Sequence, residues 1–237
     1  MKIQGKNAII TGGGRGLGKA VALILASEGV NIGITGRNEE NLKMTVDEIQ
    51  KLGVNAHYAV FSMDNEIQVK AGLDSLAQQL GGVDILINNA GIGDFGSIEE
   101  MPTETWEQVI KTNLFGVYYA AKTVYPYMKE KGQGDIINVA STAGLKGGPN
   151  MSAYAASKAA VISLSQSMMA EWRKQNIRVI TLTPSTIASD MSIQGGLTDG
   201  NPEKVLQPED FAEWVRDILK MNRRAMIANG SIFSTNP

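Results

Sequence analysis

The chain has no cysteine and a single histidine, and both scarcities exclude kinds of chemistry. Without cysteine there is neither a disulfide framework nor a thiol nucleophile, and this composition fits a cytoplasmic protein. A metal site normally needs several histidine, cysteine or carboxylate ligands close together. His57 stands alone at the start of an apolar run, so we expect it to be structural and predict no metal site.

Long apolar runs and an excess of one charge are missing as well. No stretch is long enough to cross a bilayer, and Met1–Gln4 does not begin a signal peptide, so we expect no membrane association. The net charge of −2 argues against nucleic acid or an anionic membrane as a partner. Apolar residues make up 43% of the 237, enough to bury a large core. We therefore expect one domain over residues 1–237.

Apolar runs and helical patterns alternate along the chain. The apolar runs predict strands at Asn7–Thr11, Val30–Thr35, Ala56–Phe61, Val83–Ile87, Asp135–Ala140, Ile177–Thr183 and Ala225–Ala228. Helical patterns lie between them, at Val21–Leu25, Asn38–Leu52, Asn65–Leu80, Thr103–Lys129 with a break at Pro126, after Ser152, and at Leu206–Leu219. Apolar strands separated by helices indicate a parallel sheet buried on both sides. The sequence therefore predicts an α/β fold with a single Rossmann-type, doubly wound parallel β-sheet, flanked by helices on both faces.

A glycine-rich loop follows the first predicted strand. It reads Gly12-Gly13-Gly14-Arg15-Gly16-Leu17-Gly18 and runs into a helix. A strand, a glycine turn and a helix form the context that a dinucleotide fingerprint requires. The glycines let backbone N–H groups approach a pyrophosphate, and the helix N-terminus offers unpaired donors to it. The alternative is a glycine-rich turn that binds nothing.

A tyrosine and a lysine four residues apart, Tyr154 and Lys158, follow thirteen residues after Ser141. Positions i and i+4 of a helix lie on one face, so both side chains can reach one cleft. A nearby cation lowers the pKa of a phenol and makes it a usable proton donor or acceptor. Ser141 can then hold the reacting oxygen. Alone, the same pattern also occurs by chance on amphipathic helices.

Amide side chains occur at two further places. Asn88-Asn89-Ala90-Gly91 ends the fourth predicted strand, where amides can bind neighbouring strands and small residues can lie against a flat ligand. Asn113 lies between apolar residues of a helix and needs a hydrogen-bond partner there. It either ties two elements together or helps to organise a site.

In this order and spacing, the motifs resemble those of the short-chain dehydrogenase/reductase family over nearly the whole chain. Within that family the chain most resembles bacterial 3-oxoacyl-acyl-carrier-protein reductases and related carbonyl reductases. The resemblance implies a catalytic set made of Asn113, Ser141, Tyr154 and Lys158. It also implies cofactor contacts from Gly12, Gly14, Arg15, Gly16, Leu17, Gly18, Arg37, Ser62, Met63, Asn89, Ala90, Gly91, Tyr154, Lys158, Pro184, Ile187 and Ser189.

The end of the second strand bears on the choice of cofactor. An NAD site usually places a carboxylate there to bind the ribose 2′-hydroxyl. This strand ends in Arg37, and no acid follows before Glu39. Arginine pairs well with a phosphate, and Arg15 supplies a second cation. NADP is therefore the predicted cofactor.

Several positions depart from the family pattern. Ser62 stands where an aspartate near the adenine is common, and Ser185 stands where the family usually has glycine after Pro184. The region after Met191 is short, which indicates a small lid over the substrate. Positions that tend to be arginine in carrier-protein reductases are Gly132 and Gln175, with Lys129, Lys131 and Lys174 nearby as substitutes at the cleft mouth.

The reaction that the resemblance implies is NADPH-dependent reduction of a ketone, such as a 3-oxoacyl thioester, to a secondary alcohol. Tyr154 would donate the proton, Ser141 would bind the carbonyl oxygen, and Lys158 would lower the tyrosine pKa. Asn113 would hold a water that feeds protons to Lys158. The alternatives are NAD(P)-dependent oxidation of a sugar, polyol or other secondary alcohol, and a non-catalytic NADP-binding protein.

A homodimer or homotetramer is expected, mostly from the resemblance. The two helices that carry Asn113 and Tyr154 have more apolar residues than one side of a sheet can cover. These residues are Val117, Tyr118, Tyr119, Val124, Val161, Ile162, Leu164, Met168, Met169 and Trp172. Arg223 and Arg224 are expected to be a solvated helix end.

Overall fold

The computed structural model describes residues 2–235, and within this range it forms one parallel sheet of seven strands. The strands are β1 (Asn7–Thr11), β2 (Asn31–Gly36), β3 (Ala56–Val60), β4 (Ile85–Asn88), β5 (Gly134–Val139), β6 (Ile177–Pro184) and β7 (Asn229–Ile232). Their order in the sheet is β3-β2-β1-β4-β5-β6-β7. This is the doubly wound arrangement, so the predicted fold class is confirmed.

Helices cover both faces of the sheet. They are α1 (Gly16–Ser27), α2 (Glu39–Gln50), α3 (Glu66–Leu80), α4 (Thr103–Ile110), α5 (Gly116–Lys131), α6 (Ser152–Trp172), α7 (Asp190–Gln194) and α8 (Pro208–Lys220). Helices α1, α2 and α8 pack into one apolar cluster, and α3, α5 and α6 into another on the opposite face. None of the helices in residues 2–235 combines the length and apolar character needed to cross a membrane.

The alternation of side chains along the strands divides the core between these two faces. In β1, Ile10 belongs to the cluster with α1, α2 and α8, whereas its neighbour Ile9 belongs to the other. Ile87 and Leu86 of β4 divide in the same way. Successive residues of a strand point to opposite faces, so a continuous apolar run is what a sheet covered on both sides needs.

The last strand lies beyond its predicted position. β7 pairs with β6 from Asn229 opposite Thr181 to Ile232 opposite Pro184. The predicted strand at Ala225–Ala228 is wrong, because this segment is a loop whose apolar side chains pack on the α1–α2–α8 cluster. The apolar side chains of this segment therefore pack against the core. The more polar β7 forms the main-chain hydrogen bonds at the sheet edge.

The predicted break at Pro126 is also wrong. Pro126 lies inside α5, which continues to Lys131 and ends at Gly132 in a left-handed conformation. The irregularity lies earlier, where Lys111–Phe115 forms a π-helical segment between α4 and α5. Such segments occur where a helix inserts one extra residue, often near functional groups.

Arg223 belongs to a buried ionic cluster instead of a solvated helix end. Its Nη1 lies 2.9 Å from Oδ2 of Asp135, and its Nη2 donates to the carbonyl oxygens of Gly134 and Asn176. Asp135 is 1% exposed and also binds Nε of Arg178 at 2.6 Å. Distant chain segments thus meet at the amino-terminal edge of the sheet, through contacts that the sequence pattern does not indicate.

Candidate active site

A cavity of about 1060 Å³ lies along the carboxyl-terminal edge of the sheet. It runs past the ends of β1 and β4, between which the connections reverse direction. In open parallel sheets this switch point is where ligands bind. With the exception of Gly18, all the residues predicted to contact the cofactor line it, and so do Ser141, Tyr154 and Lys158.

The glycine loop forms one wall of the cavity. Gly12 and Gly16 have φ angles of +70° and +52°, which favour glycine. A side chain at Gly16 would project into open space, whereas a Cβ at Gly18 would lie 2.2 Å from the carbonyl oxygen of Gly12. Gly18 therefore allows α1 to pack closely on the loop. An open loop at a helix N-terminus suits a pyrophosphate, so the residues present fit a dinucleotide.

The end of β4 is tied to the end of β1. The backbone N–H groups of Asn89 and Ala90 both donate to Oγ1 of Thr11, at 3.0 Å each. The side-chain amide of Asn89 donates to the carbonyl oxygen of Thr11, and Asn88 donates to Asn138 of β5. These bonds fix the two strand ends against each other, although Oδ1 of Asn88 is buried without a hydrogen-bond partner, and Gly91 lines the cavity.

The end of the cavity beside β2 is bordered by cations. Arg37 lines it, is exposed and, within residues 2–235, forms neither a hydrogen bond nor an ion pair. Glu39 is held elsewhere, by Lys43 at 3.0 Å and by the hydroxyl of Tyr58. Arg15 also lines the cavity, but its Nη1 lies 2.8 Å from Oδ2 of Asp190. Of the two predicted phosphate-binding arginines, Arg37 is therefore the one whose guanidinium is not held in an ion pair.

Ser62 and Met63 follow β3 and line the same end. Hydrogen bonds from Ser62 and Gln108 hold the pKa of Asp64 below its usual value, and the charge of Arg37 adds to this effect. Met63 is buried against Gly116. A Cβ atom added at Gly116 would lie only 2.8 Å from the Cβ of Met63. The segment after β3 is thus packed directly on the start of α5.

Tyr154 and Lys158 lie on the first turns of α6 and face the other end of the cavity. Nζ of Lys158 is 5.6 Å from the centre of the Tyr154 ring and donates to the carbonyl oxygen of Val139 at 2.8 Å. Burial lowers the pKa of Lys158 to about 8. Burial raises the pKa of Tyr154, and a hydrogen bond with Ser141 partly offsets it. The expected lowering of the Tyr154 pKa by Lys158 is not found, since burial is the main cause of the shift and only the hydrogen bond with Ser141 opposes it.

Ser141 follows β5 and begins the 3₁₀ turn Thr142–Gly144. Its hydroxyl oxygen accepts the backbone N–H of Ala143 at 3.1 Å. A Cβ at Gly144 would lie 2.6 Å from the backbone of Lys158, so the turn packs directly on α6. This close contact fixes Ser141 relative to Tyr154.

Asn113 does not line the cavity but organises its floor from within the π-helical segment. It is completely buried. Its side-chain oxygen accepts the N–H of Ile92 at 2.8 Å, and its side-chain nitrogen donates to the carbonyl oxygen of Ile92 at 2.9 Å. It also donates to Oγ of Ser157, which in turn donates to the carbonyl oxygen of Tyr154. The π-helical segment thus places one amide in contact with both the loop after β4 and, through Ser157, helix α6.

Ser157 was not among the predicted site residues. It links Asn113 to α6 and is completely buried. The available signal was a small polar residue beside Lys158 on the face that points inward.

The apolar part of the cavity was also missed. It is lined by side chains from four separate segments, namely Phe95, Leu145, Met151, Leu197 and Phe233. These segments are loops and the chain end, for which hydrophobic periodicity gives no signal.

The segment after β6 closes the cavity. Pro184, Ile187 and Ser189 line it, and the short helix α7 follows. Ser189 and Ser192 cap that helix reciprocally, since each side chain binds the backbone N–H of the other. The predicted small lid corresponds to this five-residue helix and the loop behind it.

Lys129, Lys131 and Lys174 lie at the other edge of the sheet from Tyr154. Lys129 and Lys131 end α5 just before β5 begins, and Lys131 pairs with Asp84. Lys174 lies just before the start of β6. Parallel strands begin at one edge and end at the other, so within one chain these lysines do not border the cleft mouth, contrary to our expectation.

The family model described as short chain dehydrogenase matches residues 6–198, more than half of the chain. The chain belongs to this family. A short-chain dehydrogenase relative from Thermotoga maritima, named 3-oxoacyl-[acyl-carrier-protein] reductase FabG, is 36% identical over 204 residues, or 86% of this chain and 80% of the relative. Gluconate 5-dehydrogenase from Gluconobacter oxydans is 30% identical, over 90% of this chain and 79% of the relative. The family resemblance seen in the sequence is confirmed.

Solved structures agree with this family assignment. NAD⁺-bound xylitol dehydrogenase superposes with a TM-score of 0.91 at 27% identity, covering 99% of this chain and 100% of that one. A short-chain dehydrogenase from Burkholderia cenocepacia in complex with NADP has a TM-score of 0.90, also at 27% identity, with 100% and 99% covered. The family thus brings a nicotinamide cofactor and oxidoreductase activity.

Proposed function

We propose that the chain acts as a single NAD(P)-binding domain that reduces a ketone to a secondary alcohol with NADPH. The observation that carries this proposal is the cavity with unlike ends: Arg37 and the glycine loop border one, and Ser141, Tyr154 and Lys158 border the other. A cofactor with a phosphorylated ribose suits the first end, and a carbonyl group suits the second.

Support for NADPH over NADH comes from charge. The guanidinium of Arg37 forms no ion pair within the described residues, and Glu39 is turned toward Lys43 and Tyr58. A carboxylate that could bind a free 2′-hydroxyl is thus occupied, while a guanidinium that could bind a 2′-phosphate is free to do so. The glycine loop, Ser62, Met63 and Asn89–Gly91 would hold the remainder of the cofactor.

The chain's own residues would handle the proton. NADPH, when bound, supplies the hydride. Tyr154 donates a proton from its phenol to the carbonyl oxygen, and Ser141 donates a hydrogen bond to the same oxygen as its negative charge grows. The raised pKa of Tyr154 keeps the phenol protonated at neutral pH, which is the form that reduction needs. Asn113 and Ser157 hold the turn of α6 that carries it.

The substrate is proposed to be a 3-oxoacyl thioester or a similar apolar ketone. Apolar side chains line the cavity, and one of them, Phe95, packs against Tyr154, so an apolar substituent would be desolvated there. Relatives named 3-oxoacyl-[acyl-carrier-protein] reductase support the thioester. The position of Lys129, Lys131 and Lys174 at the far edge of the sheet removes one support for a carrier-bound substrate.

A steady-state screen tests the function. NADPH oxidation is followed with β-ketoacyl thioesters, diketones and aldehydes, and NAD⁺ or NADP⁺ reduction with sugars, polyols and other secondary alcohols. Turnover of a carbonyl compound that is lost in Tyr154→Phe supports the proposal. Turnover of polyols or sugar acids alone, as in relatives such as gluconate 5-dehydrogenase, would assign the oxidising alternative instead.

The assembly is proposed to be a homodimer through α5 and α6. Of the apolar residues expected there, Val117, Val124, Val161 and Met168 are buried within the chain. Phe115 and Tyr118 remain 42% and 45% exposed, and Ile162, Met169 and Trp172 are half-buried. A symmetric contact would cover these residues, and a tetramer needs a second such contact. Light scattering should give a multiple of the chain mass of 25.4 kDa, and that mass itself would contradict a dimer.

A further inference from the structure

A second cavity, of about 450 Å³, adjoins the active-site cavity. It lies between the loop after β4, the segment before α6 and the loop after α7. Phe95, Met151 and Leu197 line both cavities. These three apolar side chains therefore form the wall between them.

Phe95 is the fixed part of this wall. Its ring packs edge-on against Tyr154, with centroids 5.8 Å apart and the planes at 61°. A Cβ at Gly93 would lie 2.9 Å from the ring, and one at Gly195 would lie 2.8 Å from it. The ring therefore fills a slot between two glycines, one in its own loop and one directly after α7.

The backbone around the wall is also held. Gly96 and Met151 form an isolated parallel bridge, and the N–H of Gly96 donates to the carbonyl oxygen of Asn150 at 2.8 Å. The side chain of Met151 is flexible by nature, whereas Phe95 has only two torsions and its half-buried ring lies between Gly93 and Gly195. The position of the Phe95 ring thus decides how far the active-site cavity extends.

The two sides of the wall differ in chemistry. On the active-site side, Phe95 faces Tyr154 and other apolar side chains. On the far side lie Ser97, Glu100 and Asn150, and the hydroxyl of Ser97 donates to Glu100 at 2.9 Å. A substrate substituent that extended past the wall would need an apolar stretch first and then a hydrogen-bond donor. A terminal carboxylate would meet the charge of Glu100.

We propose that Phe95 determines substrate specificity: its ring closes the active-site cavity toward the second one and sets the largest ketone substituent that fits beside Tyr154. The inference rests on the proposed function, since it concerns the substrate of the same site. Removing the ring joins the two cavities and admits a longer substituent, with a preference for one that ends in a hydroxyl over one that ends in a carboxylate.

The test compares ketones that differ only in the length of one alkyl substituent. The ratio of kcat/KM for the longest to the shortest ketone is measured in the wild type, Phe95→Ala, Phe95→Leu and Phe95→Trp. In Phe95→Ala the ratio should rise about tenfold, since each methylene accommodated in an apolar pocket contributes a factor of that order. It should rise less in Phe95→Leu and fall in Phe95→Trp. In Phe95→Ala, a terminal hydroxyl should raise kcat/KM further and a terminal carboxylate should lower it.

Two control variants separate this effect from a general disturbance. Ile98→Ala removes an exposed apolar side chain of the same loop and should leave both activity and ratio unchanged. Phe233→Ala removes a ring that lines the active-site cavity but not the second one, and should not produce the hydroxyl preference. A loss of orientation at Tyr154 would lower kcat for all ketones equally and leave the ratio fixed.

Failure of the inference about Phe95 can be distinguished from failure of the proposed function. Wild-type protein that reduces no ketone at all would remove the proposed function. If the wild type reduces the short ketone, a ratio that stays within about twofold in all three Phe95 variants would overturn the inference alone.

Discussion

Arg15 of the glycine loop and Asp190 of α7 form an ion pair across the mouth of the cofactor cavity, with Nη1 2.8 Å from Oδ2. Both side chains are largely exposed, at 67% and 60%, and both residues line the cavity. The pair connects the loop that would hold the cofactor phosphates to the helix that is proposed to cover the substrate. Arg15 must therefore share its charge between Asp190 and any phosphate.

Asp190→Asn should tighten NADPH binding. It releases Arg15 and removes a negative charge from the cavity, and an exposed pair contributes at most about 1 kcal/mol, or roughly fivefold in affinity. NADH affinity should change less, because it has no 2′-phosphate. Titration of both cofactors measures this, with Asp217→Asn as control because Asp217 is an exposed partner of Arg216 outside the cavity. Unchanged or weaker NADPH binding would contradict the shared role of Arg15.

Arg37→Ala should weaken NADPH binding by about tenfold or more and leave NADH binding nearly unchanged. A charge-assisted hydrogen bond to a phosphate contributes on the order of 1.5–3 kcal/mol. Fluorescence titration with each cofactor measures the difference, and Arg216→Ala is the matched control for loss of a surface arginine. Equal losses for both cofactors would show that Arg37 does not recognise the 2′-phosphate.

The parts of the fold that rest on regular patterns could be predicted from the sequence. The first strand is found over Asn7–Thr11, as predicted, because its buried centre is the apolar run Ala8-Ile9-Ile10. The edge strand was misplaced because β7 is only partly buried, so polar residues such as Asn229 and Ser231 are allowed there. Its main-chain pairing with β6 depends on tertiary structure, which local hydrophobicity does not report.

The candidate site also has parts that the sequence predicts and parts that depend on tertiary structure. The spacing of Tyr154 and Lys158 and the glycine loop predict which residues meet, because each motif is local and its geometry follows from one helix or one turn. Phe95 and Phe233 lie far apart in sequence and line the same cavity only because the chain folds around the sheet. The direction of the Tyr154 pKa was also beyond the sequence, since it depends on how deeply the phenol is buried.

Tyr154→Phe should reduce turnover roughly a hundredfold or more while NADPH binding persists, because the variant lacks only the acidic hydroxyl. Lys158→Ala should reduce turnover and also weaken NADPH binding, because we expect the lysine to act on both Tyr154 and the cofactor. Steady-state rates and cofactor titration are compared, with Tyr118→Phe as the control for an exposed tyrosine. Near-normal turnover in Tyr154→Phe would require another acid.

The rate of reduction should fall as the pH rises through about 8. The pKa of Lys158 is lowered to about 8 by burial, so the cation is present below this pH and lost above it. The raised pKa of Tyr154 keeps its proton over the same range. The pH profile of kcat/KM for the ketone, measured from about pH 6 to 10, should show one decline. A profile that stays flat to the upper limit would exclude a role for the lysine charge.

Oxidation of the alcohol product should have the opposite trend. In that direction Tyr154 must accept a proton, so the rate should rise with pH as the phenolate becomes accessible. The pH profile of kcat/KM for the alcohol, measured over the same range of pH, tests this trend. Parallel profiles in both directions would indicate that a step other than proton transfer is being measured.

Asp135→Asn should destabilise the fold without altering the site. Asp135 is 1% exposed and pairs with Arg178 and Arg223, so loss of its charge leaves buried guanidinium groups without their counter-ion. Breaking a buried pair in this way costs about 3–5 kcal/mol of the free energy of unfolding. Denaturant unfolding measures the loss, and the exposed Asp217→Asn should stay within about 0.5 kcal/mol of the wild type.

Arg223→Ala tests the same cluster from its second partner. Arg223 is more exposed than Arg178, at 14% against 5%, and Asp135 would keep its bond to Arg178. The expected loss is therefore smaller, about 1–3 kcal/mol. NADPH affinity should be unchanged in the folded variant, because the cluster lies at the amino-terminal edge of the sheet and the cavity at the other. A variant as stable as the wild type would mean that Arg223 behaves as the solvated residue that the sequence alone suggested.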